Sequence, residues 1–134
     1  MKKKIILVGG AGYIGTVLTG HLLNEGYKVK CIDNLIYEQD DCLSSFFKNN
    51  NYEFINIDIR QKNLLVEHFD VDCSVVLLAG LVGDPISKKY PQINDEINLS
   101  GILNIIEICK EKNIEKFIFT STCSNYGITE NNIK

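Results

Sequence analysis

The 134-residue chain has no tryptophan, a single methionine and only two prolines, Pro85 and Pro91, both within one short stretch. Proline breaks helices and central strands, so the segments before and after that stretch can form uninterrupted elements. No apolar run approaches the ~18 residues that cross a bilayer, so no membrane span is expected. A cationic excess is also missing: 14 Lys and Arg face 17 Asp and Glu, giving a formal net charge of −3. That balance provides no electrostatic footprint for nucleic acid, and Lys2-Lys3-Lys4 reads as the solvated start of a strand. Cys31, Cys42, Cys73, Cys109 and Cys123 contain no Cys-x-x-Cys pair, and His21 and His68 have no ligand-spaced partners. A metal site is therefore not expected, and scattered thiols of odd number fit a reduced, cytoplasmic protein. Residues 1–8 carry no small-residue cleavage site, so no signal peptide is expected.

What is present is a patterned run of glycines. Lys3-Lys4-Ile5-Ile6-Leu7-Val8 reads as a short buried strand. It runs into Gly9-Gly10-Ala11-Gly12-Tyr13-Ile14-Gly15 and from there into a helix. Gly9, Gly12 and Gly15 let the backbone turn tightly, approach a diphosphate closely and seat the helix on the strand. The helix start offers free N–H groups and a positive dipole end to phosphates. A Gly-x-x-Gly-x-x-Gly run alone is a weak signal. Here a strand precedes it, a helix follows, and Asp33 closes the next strand about 20 residues on.

Strand and helix patterns alternate along the rest. Strands are expected at residues 3–8, 28–32, 52–57, 73–78 and 115–120. Helices are expected at 12–25 and 61–69, as a short stretch at 42–48, and as a long one at 93–112. The first helix would bury Ile14, Val17, Leu18, His21 and Leu22 on one face. Apolar strands separated by helices predict a single α/β domain over 1–134, built on a doubly wound Rossmann-type parallel sheet of order 3-2-1-4-5. Ligand would sit over the C-terminal strand ends, between strands one and four, where the order reverses.

The candidate site residues fall at those ends. Asp33 can accept hydrogen bonds from ribose hydroxyls and repel a 2′-phosphate, and Asn34-Leu35 behind it supplies no arginine to hold one, so NAD is favoured over NADP. The same carboxylate also fits a plain turn residue. Asp58-Ile59 can frame an adenine or simply cap a loop. Leu78, Ala79 and Gly80 place small residues where a ribose and diphosphate come close to backbone. Thr120-Ser121-Thr122 opens a row of hydroxyls at the nicotinamide end.

Taken together, the glycine run, Asp33-Asn34-Leu35, Asp58-Ile59-Arg60, Leu78-Ala79-Gly80 and Ser121-Thr122-Cys123-Ser124-Asn125-Tyr126-Gly127 closely resemble the extended short-chain dehydrogenase/reductases. Within them the match is to the NAD-dependent nucleotide-sugar epimerase/dehydratase branch. The resemblance covers essentially the whole chain, in order and with the family's spacing. It implies that Gly9, Gly12, Tyr13, Ile14, Gly15, Asp33, Asn34, Asp58, Ile59, Leu78, Ala79, Gly80, Asn98 and Ser121 belong to the NAD site. It further implies that Asn98 organises the active-site helix and that Thr122 hydrogen-bonds the reacting sugar hydroxyl. The implied partners are a nucleotide sugar and a second copy docked through helix 93–112, whose apolar residues wrap more than one face. The implied reaction is reversible hydride transfer, with a tyrosinate as base, its pKa lowered by a nearby lysine.

Three departures refine this. Val8 stands where the family often has a threonine. Cys123 and Ser124 replace the acid pair of the sugar 4,6-dehydratases, which favours an epimerase. None of the six tyrosines is followed four residues later by lysine, so the family's Tyr-x-x-x-Lys pair is not in these 134 residues. The expectation is the cofactor-binding part of a larger enzyme, lacking the sixth strand, the base and the sugar-binding region. A non-catalytic NAD-binding regulator or redox sensor is the alternative. A methyltransferase is disfavoured by the glycine spacing and the hydroxyl row.

Overall fold

A computed structural model describes residues 3–122 and 127, with the side chains of residues 84, 86 and 87 excluded. Five parallel strands form one sheet: β1 (Lys4–Val8), β2 (Lys28–Asp33), β3 (Tyr52–Asn56), β4 (Cys73–Leu77) and β5 (Lys116–Phe119), in the order β3-β2-β1-β4-β5. β1 is central, pairing from Lys4↔Lys28 to Val8↔Ile32 on one side and from Lys4↔Cys73 to Val8↔Leu77 on the other. Its inner residues Ile6, Leu7 and Val8 are wholly buried, as a strand covered on both faces requires. The expected order is therefore the observed one, and each strand begins and ends within a residue of its expected place.

The alternation of side chains sorts the strands into two cores. Ile6, Val8, Ile32, Val75 and Leu77 face Leu65, Phe69, Ile97, Ile105 and Ile108. These come from α2 (Lys62–Leu65), the turn that follows it, and the long helical segment before β5. On the other face Leu7, Val29 and Val76 meet Leu23, with Leu18 and Leu22 packed alongside, from α1 (Tyr13–Asn24). Here the sequence expectation is corrected. α1 buries Gly15, Thr19 and Leu23, whereas Ile14, Val17 and His21 face outward. A helix that approaches a sheet closely does so on its small residues, and apolar periodicity alone gives these little weight.

The segment before β5 also differs from one continuous helix at 93–112. It consists of α3 (Asp84–Lys89), α4 (Pro91–Asp95), a π-helical turn (Glu96–Gly101) and α5 (Ile102–Glu111). α3 falls in the proline-bearing stretch, where no helix was expected, because Pro85 sits in the first turn of a helix, where no intrahelical N–H is needed. The helical stretch expected at 42–48 is instead a single 3₁₀ turn, Asp40–Leu43. β5 lies at the edge of the sheet, with Ile118 and Phe119 exposed.

Candidate cofactor site

The turn out of β1 is built by two glycines that the fold itself requires. Gly9 has φ +83°, and a Cβ there would stand 2.4 Å from the Ala79 backbone nitrogen. At Gly15 a Cβ would meet the Gly10 carbonyl oxygen at 2.4 Å, so this glycine lets α1 lie against the turn. Gly12 is different. Its φ of −70° and ψ of 175° suit any residue, and a Cβ would find only the Gly9 carbonyl oxygen, at an ordinary 3.5 Å. Nothing in the protein requires a glycine there; the space belongs to the cavity above it.

That cavity, about 640 Å³, lies over the C-terminal strand ends at the point where the sheet order reverses. Gly9, Gly12, Tyr13, Ile14, Gly15, Asp33, Asn34, Asp58, Ile59, Leu78, Ala79 and Gly80 all line it. Gly12 caps α1 without a side-chain hydrogen bond, and the first N–H groups of a helix have no intrahelical acceptor. A cradle at a helix start, open where a methyl would fit, matches the diphosphate of a dinucleotide in shape and charge. The volume also falls within the ~300–1,000 Å³ of small-molecule sites.

Asp33 performs the turn role as well as standing on the wall. Its carboxylate accepts from the Ala11 N–H at 3.0 Å and from the Leu35 N–H at 2.9 Å, tying the glycine turn to the end of β2. Asn34 and Asp58 brace each other: the Asn34 Nδ2 donates to Asp58 Oδ2 at 2.8 Å. From the other side Arg60 grips Asp58, its Nε donating to Oδ1 at 3.0 Å and its terminal nitrogen to Oδ2 at 2.8 Å. This guanidinium, with the Arg60 and Asn34 N–H donors, outweighs burial and holds the Asp58 carboxyl down at about 2. Arg60 also reaches Glu96 at 2.9 Å.

Asn98 does not line the cavity. It sits in the π turn and clasps Leu81, accepting from its N–H and donating to its carbonyl, both at 2.8 Å. This fixes the loop after β4, and with it Ala79 and Gly80 on the wall. Gly101, at the end of the π turn, gives room to Ile59, whose Cδ1 would lie 2.6 Å from a Cβ there. From the loop after β5, Thr120 lines the cavity, with its hydroxyl donating to the Leu77 carbonyl at 2.9 Å. Ser121 and Thr122 are exposed just beyond it, off the cavity wall, and Cys123 to Tyr126 fall outside the described residues.

The sequence reading missed one wall. Ile36, Tyr37, Gln39 and Cys42 line the cavity from the polar segment after β2, which shows no periodicity to reveal it. Elsewhere the thiols are quiet. Burial pushes Cys31 up to about 12 and Cys109 up to about 11, and raises Cys73 as well, so all three stay protonated near neutrality. Among the described residues no three His, Cys, Asp or Glu side chains gather as a metal site, and no helix is long and apolar enough to cross a membrane.

A parallel sheet of this order, with a glycine turn feeding a helix start and an acid at the end of β2, defines a dinucleotide-binding fold. The model of the NAD dependent epimerase/dehydratase family matches residues 5–134, and the chain belongs to that family. It is 33% identical over 136 residues to the bifunctional UDP-glucose 4-epimerase and UDP-xylose 4-epimerase 1 of Pisum sativum, covering 96% of this chain and 39% of the pea protein. The solved UDP-Glc/GlcNAc 4-epimerase of Campylobacter jejuni superimposes with a TM-score of 0.88 at 25% identity, covering 96% of this chain and 40% of that one. The Thermus thermophilus UDP-glucose 4-epimerase, solved in complex with NAD, gives 0.74 at 29% identity, covering 89% of this chain and 37% of that one. The chain spans about two-fifths of the length of these relatives. NAD is the cofactor of the family, as the glycine turn and Asp33 led one to expect.

Proposed function

We propose that this chain is the NAD-binding part of a nucleotide-sugar epimerase-type oxidoreductase. The observation that carries the reading is Gly12: it is a glycine the fold does not need, at a helix start, in the floor of a cavity that also contains Asp33. In this reading the N–H groups of the first turn of α1 hold the diphosphate, and Gly12 lets it approach. Asp33 keeps acceptor capacity beyond its two backbone bonds and receives the ribose hydroxyls. Ile59 and Asp58 flank the base, and Ala79 and Gly80, held through the Asn98 clasp on Leu81, flank the other ribose. NAD, when bound, supplies a reversible acceptor for hydride. Thr122 steadies the reacting sugar hydroxyl, and Ser121 lies beside the nicotinamide end. No Tyr-x-x-x-Lys pair stands in the sequence, so the chain by itself has no base matched to the hydroxyl proton.

The proposal extends to a cytoplasmic isomerase that pairs with a second copy through 93–112. Leu99 and Leu103 are exposed there on successive turns, at 60% and 47%, which is the unpartnered apolar face expected of a docking helix. Cys31, Cys73 and Cys109 are buried and protonated and so offer no thiol to a redox sensor; of the described cysteines Cys42 is the exposed one.

The test is direct. NAD(H) and NADP(H) are titrated into the purified chain, which is then incubated with NAD⁺ and UDP-, GDP-, CDP- and dTDP-sugars while NADH absorbance and epimers are followed. Tight, NAD-selective binding without turnover is expected. Absence of binding, or turnover at ordinary enzyme rates, would overturn the reading.

A further inference from the structure

The wall that the sequence did not reveal contains an unsolved hydrogen-bonding problem. Gln39 lines the cavity beside Tyr37 and Cys42, and its Oε1 is buried with no hydrogen-bond partner. It stands at the N-cap of the 3₁₀ turn Asp40–Leu43, yet its side chain caps nothing, and only its backbone carbonyl is used, by the Cys42 N–H at 3.2 Å. A buried acceptor without a donor is destabilising, and native structures rarely keep one without a reason. The neighbouring acceptors on the cavity wall are already engaged: Asp33 by two backbone N–H groups and Asp58 by Arg60 and Asn34. Gln39 alone among them lacks a donor.

We infer that Gln39 is a specificity-determining residue of the cavity, whose amide carbonyl swings inward to accept a hydrogen bond from an O–H or N–H donor on the adenosine half of the dinucleotide. The inference rests on the NAD-binding reading and deepens it. In the free chain the orphaned carbonyl is a standing penalty. Turning it to a ligand donor removes that penalty, so the ligand-bound arrangement is favoured.

The experiment uses the full chain, with Gln39→Met, which keeps length and volume but removes the acceptor, and Gln39→Asn, which keeps the amide but shortens its reach. Affinities for NAD, ADP-ribose, nicotinamide hypoxanthine dinucleotide and nicotinamide mononucleotide are measured by calorimetry, alongside the melting temperature of each free variant. Expected is a loss of roughly tenfold for NAD and ADP-ribose, the size of one hydrogen bond left unmade. Binding of the mononucleotide, which lacks adenosine, should not change. Gln39→Met should melt no lower than the unsubstituted chain, because it removes an unpaired buried acceptor. The hypoxanthine analogue identifies the donor. If it binds the unsubstituted chain as weakly as NAD binds Gln39→Met, the 6-amino group is the partner; if it binds like NAD and is equally weakened by the substitution, a ribose hydroxyl is. Unchanged NAD affinity in both variants, or a loss of affinity matched by a fall in melting temperature, would overturn the role of Gln39. Failure of the unsubstituted chain to bind NAD at all would instead remove the reading of the site itself, and this inference with it.

Discussion

Replacing each of two glycines in one turn by alanine should produce opposite phenotypes. At Gly12 the added methyl meets only the Gly9 carbonyl oxygen at 3.5 Å, and its backbone angles suit alanine. Restricting the unfolded chain stabilises by ~0.4–1 kcal/mol, while alanine is a poorer N-cap than glycine by up to ~1 kcal/mol. The two nearly cancel, so Gly12→Ala should melt within a few degrees of the unsubstituted chain. The methyl does, however, point into the space left for a diphosphate, and NAD affinity should fall by at least tenfold, about 1.4 kcal/mol. At Gly15 the added methyl lies 2.4 Å from the Gly10 carbonyl oxygen, which is backbone and cannot rotate away. Overpacking of this kind costs ~1–3 kcal/mol or more, and about 3 kcal/mol lowers the melting temperature of a domain this size by roughly 10 °C. Thermal melting and an NAD titration on both variants separate fold from site. A Gly12→Ala chain that binds NAD normally, or a Gly15→Ala chain that melts normally, would refute the division of labour.

Three further outcomes are expected. Asp33→Asn should shrink the preference for NAD(H) over NADP(H), since a lost charge-assisted hydrogen bond is worth ~1.5–3 kcal/mol, roughly ten- to a hundredfold; paired titrations that leave the ratio unchanged would contradict it. Asp58 is held at about 2 in the folded chain against 3.8 for an ordinary carboxyl, so it contributes stability that is complete above about pH 4 and fades as pH falls towards 2. With Arg60 partly open to solvent the contribution is about 1 kcal/mol, and Arg60→Met should flatten that part of the acid limb in urea melts at pH 2–5. Leu99→Lys with Leu103→Lys should abolish concentration-dependent self-association in sedimentation, whereas a chain that is monomeric at every concentration before substitution would exclude the docking face.

The sheet was legible because strands buried on both faces announce themselves as short apolar runs, and Val29, Val75 and Leu77 fit nothing else. The glycine turn was legible because Gly9 and Gly15 are demanded by backbone contacts, with the Ala79 nitrogen and the Gly10 carbonyl. Reading failed where packing is set by small or polar residues. α1 docks on Gly15, Thr19 and Leu23, so Ile14 and Val17 misled. Asn98 was recognised as an organiser only through resemblance, since its work is to hold Leu81, seventeen positions away, by backbone bonds that no local pattern encodes. The wall of Ile36, Tyr37, Gln39 and Cys42 has no period at all and is placed by the turns that follow Asp33.

The π turn at Glu96–Gly101 sets a rule for which changes in chain length this protein can survive. Such a turn contains one residue more than a regular helix would use over the same rise. Deleting any one residue between 96 and 101 would yield a smoother helix by every local criterion. Because a π turn spreads its extra residue over nearly the same rotation, Ile105 and Ile108 would stay in phase with the core in which they are wholly buried. The change would fall on the turn itself, whose wider backbone places Asn98 against Leu81. The irregular turn therefore absorbs one residue without disturbing the phase of either helical half, one of which answers to the loop above β4 and the other to the sheet. A sequence that looks improved here by helix propensity would be a worse protein.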